Sequence, residues 1–65
     1  MILNVKAIPN SSGYARVLDA AGKLLIKLNL IGAENKINVN HLPDGIYFLD
    51  VVNNKTSYRT RFEKH

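Results

Sequence analysis

A run of seven almost uninterrupted apolar residues, "IYFLDVV", begins directly after the turn sequence Pro43-Asp44-Gly45. Proline and glycine favour the backbone angles of a tight reversal, so a new element begins there. The run has two alternating faces, with Tyr47, Leu49 and Val51 on one and Ile46, Phe48 and Asp50 on the other. Both faces are mostly apolar, which predicts a strand in the middle of a sheet. The turn fixes the register of this strand, because a slip by one residue would exchange the two faces.

The next segment, "TSYRTRFEK", has the alternation of a strand that returns against this run. The intervening Asn53-Asn54-Lys55 supplies residues that tolerate a positive φ, as a tight hairpin turn requires. The alternation places Tyr58, Thr60 and Phe62 on the inward face and Arg59, Arg61 and Glu63 on the outward face. This pattern predicts a β-hairpin with buried aromatic and exposed charged side chains.

Three segments elsewhere have the same period of two. Their inward positions are Leu3 and Val5 in "ILNVKAI", Ala15 and Val17 in "YARVLD", and Ile37 and Val39 in "ENKINVN". Turn-forming residues separate the first two segments, namely Pro9-Asn10 followed by Ser11-Ser12-Gly13. Alternation between such turns is typical of short, half-buried strands.

A second hairpin is predicted around the sequence Asp19-Ala20-Ala21-Gly22-Lys23. Asp19 can accept backbone N–H groups at the head of a tight turn, and Gly22 can take the positive φ that closes it. The following "LLIKLNLI" alternates as a strand does. An amphipathic helix over residues 20–31 competes with this interpretation. The strand is favoured because Gly22 and Gly32 would lie near the ends of a helix of barely three turns.

Six short strands joined by tight turns predict an all-β fold, a small antiparallel sandwich or barrel. The chain has 65 residues, which leaves room for a single core and hence one domain over residues 1–65. It has no cysteine, so neither disulfides nor thiolate-bound metal can stabilise it. Packing of apolar side chains must therefore hold the fold together.

Metal and catalytic sites have little support in the sequence. His41, Asp44 and His65 lack the spacing of a metal site. Asp19 is already assigned to a turn, and neither it nor Glu34 lies in an apolar environment that would tune its pKa for acid–base catalysis. We therefore expect no enzyme activity and no cofactor.

Two binding functions remain as alternatives. A small basic β domain with aromatic residues is compatible with an OB-like barrel that stacks nucleic-acid bases. Stacking requires aromatics and cations on one surface, whereas Tyr58 and Phe62 alternate with Arg59 and Arg61. The other alternative is an Ig-like adhesion or carbohydrate-binding module. Such a module needs exposed aromatic residues in its loops, and the predicted loops contain Asn, Ser, Gly, Pro and Asp, with no tryptophan in the chain.

Positive charge is concentrated at the end of the chain. The net side-chain charge of residues 55–65 is +3, out of +4 for the whole chain. Arg59 and Arg61 are two residues apart on one strand face, so both guanidinium groups can meet a carboxylate-bearing surface together. The same alternation of charges also protects an edge strand against aggregation. The sequence leaves both interpretations open.

The elements of the chain follow a characteristic order. A short first strand "ILNVKA" precedes an Asp-x-x-Gly-Lys hairpin, "ARVLDAAGKLL". An Asn-rich strand and a Leu-x-x-Gly-Ile-Tyr turn and strand follow in "ENKINVNHLPDGIYFLDV", and a basic, aromatic strand "TSYRTRFEKH" ends the chain. Over nearly its whole length this order resembles the type A C-terminal sorting domain of type IX secretion, a system of Gram-negative Bacteroidota.

The resemblance implies a non-enzymatic address label with a small antiparallel Ig-like β-sandwich of about six to seven short strands. The chain would be a fragment of a larger secreted protein, fused to an N-terminal cargo domain. It would cross the periplasm, meet the outer-membrane type IX translocon, and then be secreted or reach the cell surface. A sortase-like peptidase would then remove it. Neither nucleic acid nor membrane insertion belongs to this role.

Residue roles follow from the resemblance together with the alternation. Translocon recognition is assigned to the terminal strand, at Arg59, Arg61, Phe62 and Lys64. Structural roles are assigned to Asp19 and Gly22 in the first hairpin and to Gly45 and Tyr47 at the start of the central strand. Removal of residues 61–65 is expected to abolish export while only fraying an edge.

Overall fold

The computed structural model describes residues 1–7, 12–54 and 56–65, which form six strands and no helix. The strands are β1 (Ile2–Lys6), β2 (Gly13–Asp19), β3 (Leu24–Asn29), β4 (Glu34–Asn38), β5 (Gly45–Asn53) and β6 (Thr56–Lys64). Parts of two predicted turns, Pro9-Asn10 with Ser11 and then Lys55, lie outside the described residues. The all-β prediction is confirmed. The helix alternative over residues 20–31 is wrong, because this segment forms a turn and the extended strand β3.

The strands form two antiparallel sheets that pack as a small sandwich. β1 pairs with β4 in a two-stranded sheet, and the second sheet has the order β3-β2-β5-β6. β5 lies between β2 and β6, so the prediction that it is central is confirmed. The terminal strand β6 forms one edge of the larger sheet.

The hydrophobic core lies between the two sheets. Its fully buried valines are Val5, Val17, Val39 and Val51. Burial of each such side chain contributes roughly 1.5 to 3 kcal/mol to the free energy of unfolding. The predicted inward positions Ala15, Val17, Ile37 and Val39 are all buried. The period of two in the sequence thus identifies the core face of β2 and the apolar positions in and after β4.

The turn between β2 and β3 has the geometry expected from its sequence. The Asp19 carboxylate oxygen Oδ1 accepts the backbone N–H of Ala21 at 2.9 Å and that of Lys23 at 2.8 Å. Gly22 has a φ of +88°, which favours glycine. Asn54, in the turn between β5 and β6, has a φ of +57°. Asp19 thus accepts two backbone N–H groups of this turn and Gly22 takes its positive φ, while the structural roles of both residues stay predictions.

Gly13 marks a close approach between β2 and β5. It begins β2, although its sequence context assigned it to the preceding turn. A Cβ atom at this position would lie 2.0 Å from the carbonyl oxygen of Val52, which is far inside van der Waals contact. Only glycine therefore fits here without a shift of one strand.

Gly13→Ala is expected to lower the free energy of unfolding by about 1.5 kcal/mol, a typical cost of overpacking. The strands must separate locally to admit the methyl group. Urea denaturation of the variant and the parent chain measures the difference. Ser12→Ala, at an exposed neighbouring position, is the control and should change stability by less than about 0.5 kcal/mol. Equal stability of Gly13→Ala and the parent would contradict the close approach.

The inward face of β6 is only partly covered. Phe62 packs against the core, as predicted. Thr60 is exposed and Tyr58 is 50% exposed, so the prediction that both are buried is wrong. β6 is an edge strand, so side chains on its inward face have a neighbouring strand on one side only. Cover therefore differs along the strand, and only its end, at Phe62, packs against the core.

Candidate recognition surface

The terminal strand β6 is the most exposed strand of the larger sheet. It pairs with β5 in a continuous register, in which Thr60 lies opposite Leu49 and Phe62 opposite Tyr47. No described strand pairs with its other side. Residues 56–61 are all exposed. A partner protein can therefore reach both the side chains and one backbone edge of this strand.

Asp50 lies between two arginines on the outward face of the larger sheet. The register places Arg16 of β2 and Arg59 of β6 directly opposite Asp50 on its two sides. Arg59 donates from Nε to Oδ1 at 2.5 Å and from Nη2 to Oδ2 at 3.0 Å. Arg16 donates from Nη2 to Oδ2 at 2.9 Å. We call these three residues the Arg-Asp-Arg clamp, which ties together β2, β5 and β6.

The clamp changes the ionisation of its members. Hydrogen bonding from Arg59 is the largest cause that holds the pKa of Asp50 below its ordinary value, and Arg16 acts in the same direction. Burial of the carboxylate opposes this effect. The contact with Asp50 in turn raises the pKa of Arg59. Asp50 is therefore ionised at neutral pH, and the clamp carries one net positive charge.

The lowered pKa of Asp50 predicts a loss of stability in acid. The folded state binds this proton less tightly than the unfolded state, so folding is favoured fully above about pH 4 and less as the pH falls through the lowered pKa. Unfolding free energies of the parent chain and of Asp50→Asn, measured from about pH 7 to about pH 2, should converge at low pH. A difference that stays constant over this range would contradict the contribution of Asp50.

A groove that includes the clamp residues lies across β2, β5 and β6. It encloses about 370 Å³ and is lined by Arg16, Asp50, Val51, Val52, Ser57, Tyr58 and Arg59. The guanidinium carbon of Arg59 lies 5.7 Å from the ring centroid of Phe48, within the range of a cation–π contact. Two contacts thus fix the position of Arg59, although its side chain is 60% exposed. A fixed but accessible guanidinium group suits recognition of a carboxylate.

Phe62 connects β6 to the core through Tyr47. Their rings stack with centroids 5.5 Å apart and an interplanar angle of 24°. The hydroxyl of Tyr47 donates a hydrogen bond to the carbonyl oxygen of Pro43. Tyr47 therefore holds the turn that begins at Pro43 and also supports the end of β6. Gly45 begins β5 within this turn region, and its structural role stays a prediction.

Lys64 is also engaged within the domain. Its Nζ donates to the carbonyl oxygen of Leu42 at 2.7 Å and lies 3.9 Å from Oδ1 of Asp44. Its side chain is only 13% exposed. Of the four residues assigned to recognition, Phe62 and Lys64 are thus largely occupied in supporting the fold.

Arg61 is the recognition candidate with the greatest freedom. It is exposed, and it makes no ion pair with any described residue. It lies opposite Phe48 in the register and two residues from Arg59, on the same outward face. The structure therefore brings Arg59 and Arg61 together on one surface and separates them from Phe62 and Lys64, which face the other side.

The sequence interpretation missed Asp50 as a member of this surface. A single acidic residue within the apolar run of β5 is an unusual choice, since a buried carboxylate requires charged or polar partners. That signal indicates a paired carboxylate but does not identify its partners. Arg16 and Arg59 are 34 and 9 residues away in the sequence, and only the strand order brings them together.

Other kinds of site receive no support within the described ranges. In residues 1–7, 12–54 and 56–65 there is no group of three His, Cys, Asp or Glu residues placed to hold a metal ion. The same ranges contain no helix that is long and apolar enough to cross a membrane.

The family model described as "Secretion system C-terminal sorting domain" matches residues 1–64. The chain belongs to this family. The resemblance inferred from the order of the sequence motifs is thereby confirmed. No curated protein and no solved structure matches the chain.

Membership in the secretion system C-terminal sorting domain family gives the chain a role as a sorting signal for type IX secretion. The family implies a cargo fused on the N-terminal side, the type IX secretion machinery as a partner, and a destination at the cell surface or outside the cell. It therefore favours sorting over the nucleic-acid and adhesion alternatives.

Proposed function

We propose that the domain directs an N-terminally fused cargo from the periplasm through the outer-membrane type IX translocon, without enzymatic activity of its own. The observation that carries this proposal is a cationic, exposed terminal strand in a chain that belongs to the sorting family. Arg59 and Arg61 contact the translocon directly. Phe62 and Lys64 hold the strand in the orientation that presents these arginines.

The domain acts as a folded signal in this proposal. The Arg-Asp-Arg clamp keeps β6 paired with β5 and fixes Arg59, while Arg61 keeps its full charge exposed. Arg59 is already held by its contacts and so loses little conformational freedom when it binds, which favours specific recognition. The translocon thus meets a surface that exists only after folding.

A reporter fusion tests this function. The reporter carries an ordinary N-terminal signal peptide and residues 1–65 at its C-terminus, in cells with and without a working type IX translocon. We expect the reporter outside only those cells that have the translocon, and a reporter without the domain should stay in the periplasm of both strains. Periplasmic retention of the fusion in both strains, with the domain folded, would favour an Ig-like interaction module instead.

Removal of the domain by a sortase-like peptidase is the second step of the proposal. The exported reporter should then lack the 7.3 kDa domain, whereas a strain without this peptidase should keep the fusion intact. Mass spectrometry of the reporter measures the difference. An exported reporter that keeps the domain in both strains would contradict cleavage while leaving export unaffected.

A further inference from the structure

The free backbone edge of β6 is long enough to receive another strand. Its nine residues extend over about 30 Å. In an antiparallel pair, alternate residues direct their N–H and C=O groups away from the partner strand, so β6 presents several unpaired donors and acceptors beside those bonded to β5. β6 pairs with β5 without a register shift and contains no proline. These are features of a strand that can add to another chain.

The charges of β6 distinguish it from the other exposed edges. The opposite edge strand β3 carries one cation, Lys27, whose Nζ lies 4.9 Å from the ring centroid of Tyr14. In the smaller sheet, β1 and β4 each carry one lysine. Only β6, among the described strands, places two arginines two residues apart on one face. Its edge therefore favours an acidic strand more than the other edges do.

A second copy of the chain does not match this edge. Antiparallel pairing of two β6 strands with all nine residues overlapped centres on Thr60 and places Arg59 opposite Arg61 twice. A shift that centres the pair on Arg61 places Arg59 opposite Glu63 but sets Arg61 against Arg61. A further shift that centres it on Phe62 pairs Arg61 with Glu63, but only residues 60–64 of each strand then overlap and Arg59 lies outside the pair. Like charges directly opposite each other destabilise a strand pair. Charge complementarity therefore points to a different partner.

We propose that β6 is a docking edge for an extended acidic strand of a partner protein, which adds to the sheet with carboxylates opposite Arg59 and Arg61. The carboxylates must stand at alternate positions, because the two arginines lie two residues apart on one face. Apolar or β-branched side chains of the partner alternate with these carboxylates and meet Tyr58 and Thr60 on the other face. The docking edge is therefore expected to prefer partner strands in which acidic and apolar residues alternate.

This inference rests on the proposed function, in which the acidic strand belongs to the type IX machinery. The two arginines contribute differently. Arg59 already forms an ion pair with Asp50, whereas Arg61 makes no ion pair with a described residue. Arg61 therefore determines most of the preference for acidic partners.

The experiment is an NMR titration of the full 65-residue chain with capped peptides of about nine residues. The first peptide alternates glutamate with valine, the second has lysine in place of glutamate, and the third is the glutamate peptide with methyl groups on the backbone nitrogens that would face β6. We expect saturable binding of the first peptide, with amide shifts centred on residues 56–64. The lysine and N-methyl peptides should bind at least tenfold more weakly.

Charge reversal in the protein completes the test. Arg61→Glu should weaken binding of the glutamate peptide at least tenfold, and Lys36→Glu, on the exposed side of β4, should change it less than twofold. Binding should also weaken as salt is raised. The proposal is overturned by absence of saturable binding at millimolar peptide, by equal binding of the lysine peptide, or by shifts centred on another edge. Self-association that protects the β6 amides would also overturn it, in favour of a second copy.

This titration requires no translocon, so its failure differs from a failure of the proposed function. Export without peptide binding would contradict only the proposal that β6 is a docking edge. Peptide binding without export would contradict the proposed sorting role.

Discussion

Asp50→Asn is expected to lower the free energy of unfolding by about 2 kcal/mol and the melting temperature by about 10 °C. The asparagine side chain keeps the volume but loses the charge that two arginines share. Removal of one partner from a buried ion pair typically costs more, because a buried charge is left unpaired. The cost is lower here, since the side chain of Arg59 is more than half exposed.

Urea denaturation at neutral pH measures this effect, and Asp44→Asn provides a matched control. Asp44 has the same side chain and also lies near a cation, but its side chain is 76% exposed and 3.9 Å from Nζ of Lys64. Its substitution should cost less than about 0.5 kcal/mol. Similar costs at the two positions would show that the clamp contributes no more than an ordinary surface pair.

Arg61→Glu is expected to reduce export of a fused reporter at least tenfold while stability changes by less than about 0.5 kcal/mol. The arginine is exposed and makes no ion pair with a described residue, so folding does not depend on it. Charge reversal places a carboxylate where the partner presents its own, which costs affinity through repulsion as well as through the lost contact. The measurement is the fraction of reporter outside the cell, together with a melting curve of the isolated domain.

Lys36→Glu is the control for this second prediction, because it makes the same change of charge on an exposed position of the smaller sheet. It should leave export within about twofold of the parent. Full export of Arg61→Glu would exclude this arginine from recognition. An equal loss with Lys36→Glu would show that export depends on net charge alone.

Truncation is a poorer test than charge reversal. Removal of residues 61–65 was expected from the sequence only to fray an edge, and the structure corrects this expectation. The truncation removes Phe62, which stacks on Tyr47 and packs against the core, and Lys64, which binds the carbonyl oxygen of Leu42. Loss of export in such a variant would therefore combine loss of recognition with loss of stability.

The strands and turns were predictable because their signals are local. Alternation of side chains assigns Val17 and Leu49 to the core face, and the Asp19 and Gly22 pair specifies a turn whose hydrogen bonds lie within five residues. Such information depends only on neighbouring residues. The family resemblance likewise followed from the order of these local elements.

The recognition surface was only partly predictable, because its contacts join distant segments. Arg59 and Arg61 were correctly placed on one face, but alternation could not show that Asp50 holds one of them and leaves the other exposed. It also could not show that Tyr58 is half exposed, since the order of strands that places β6 at an edge is not a local property. The place of Lys64 beside Leu42 is equally non-local.

The sorting role is measured by export of the reporter fused to residues 1–65 in cells with and without a working type IX translocon. We expect the fusion outside the cell only in the presence of the translocon, and we expect Arg61→Glu to remove most of this export although the domain remains folded. Equal amounts of parent fusion outside both strains, or retention of the folded fusion in both, would contradict the sorting role.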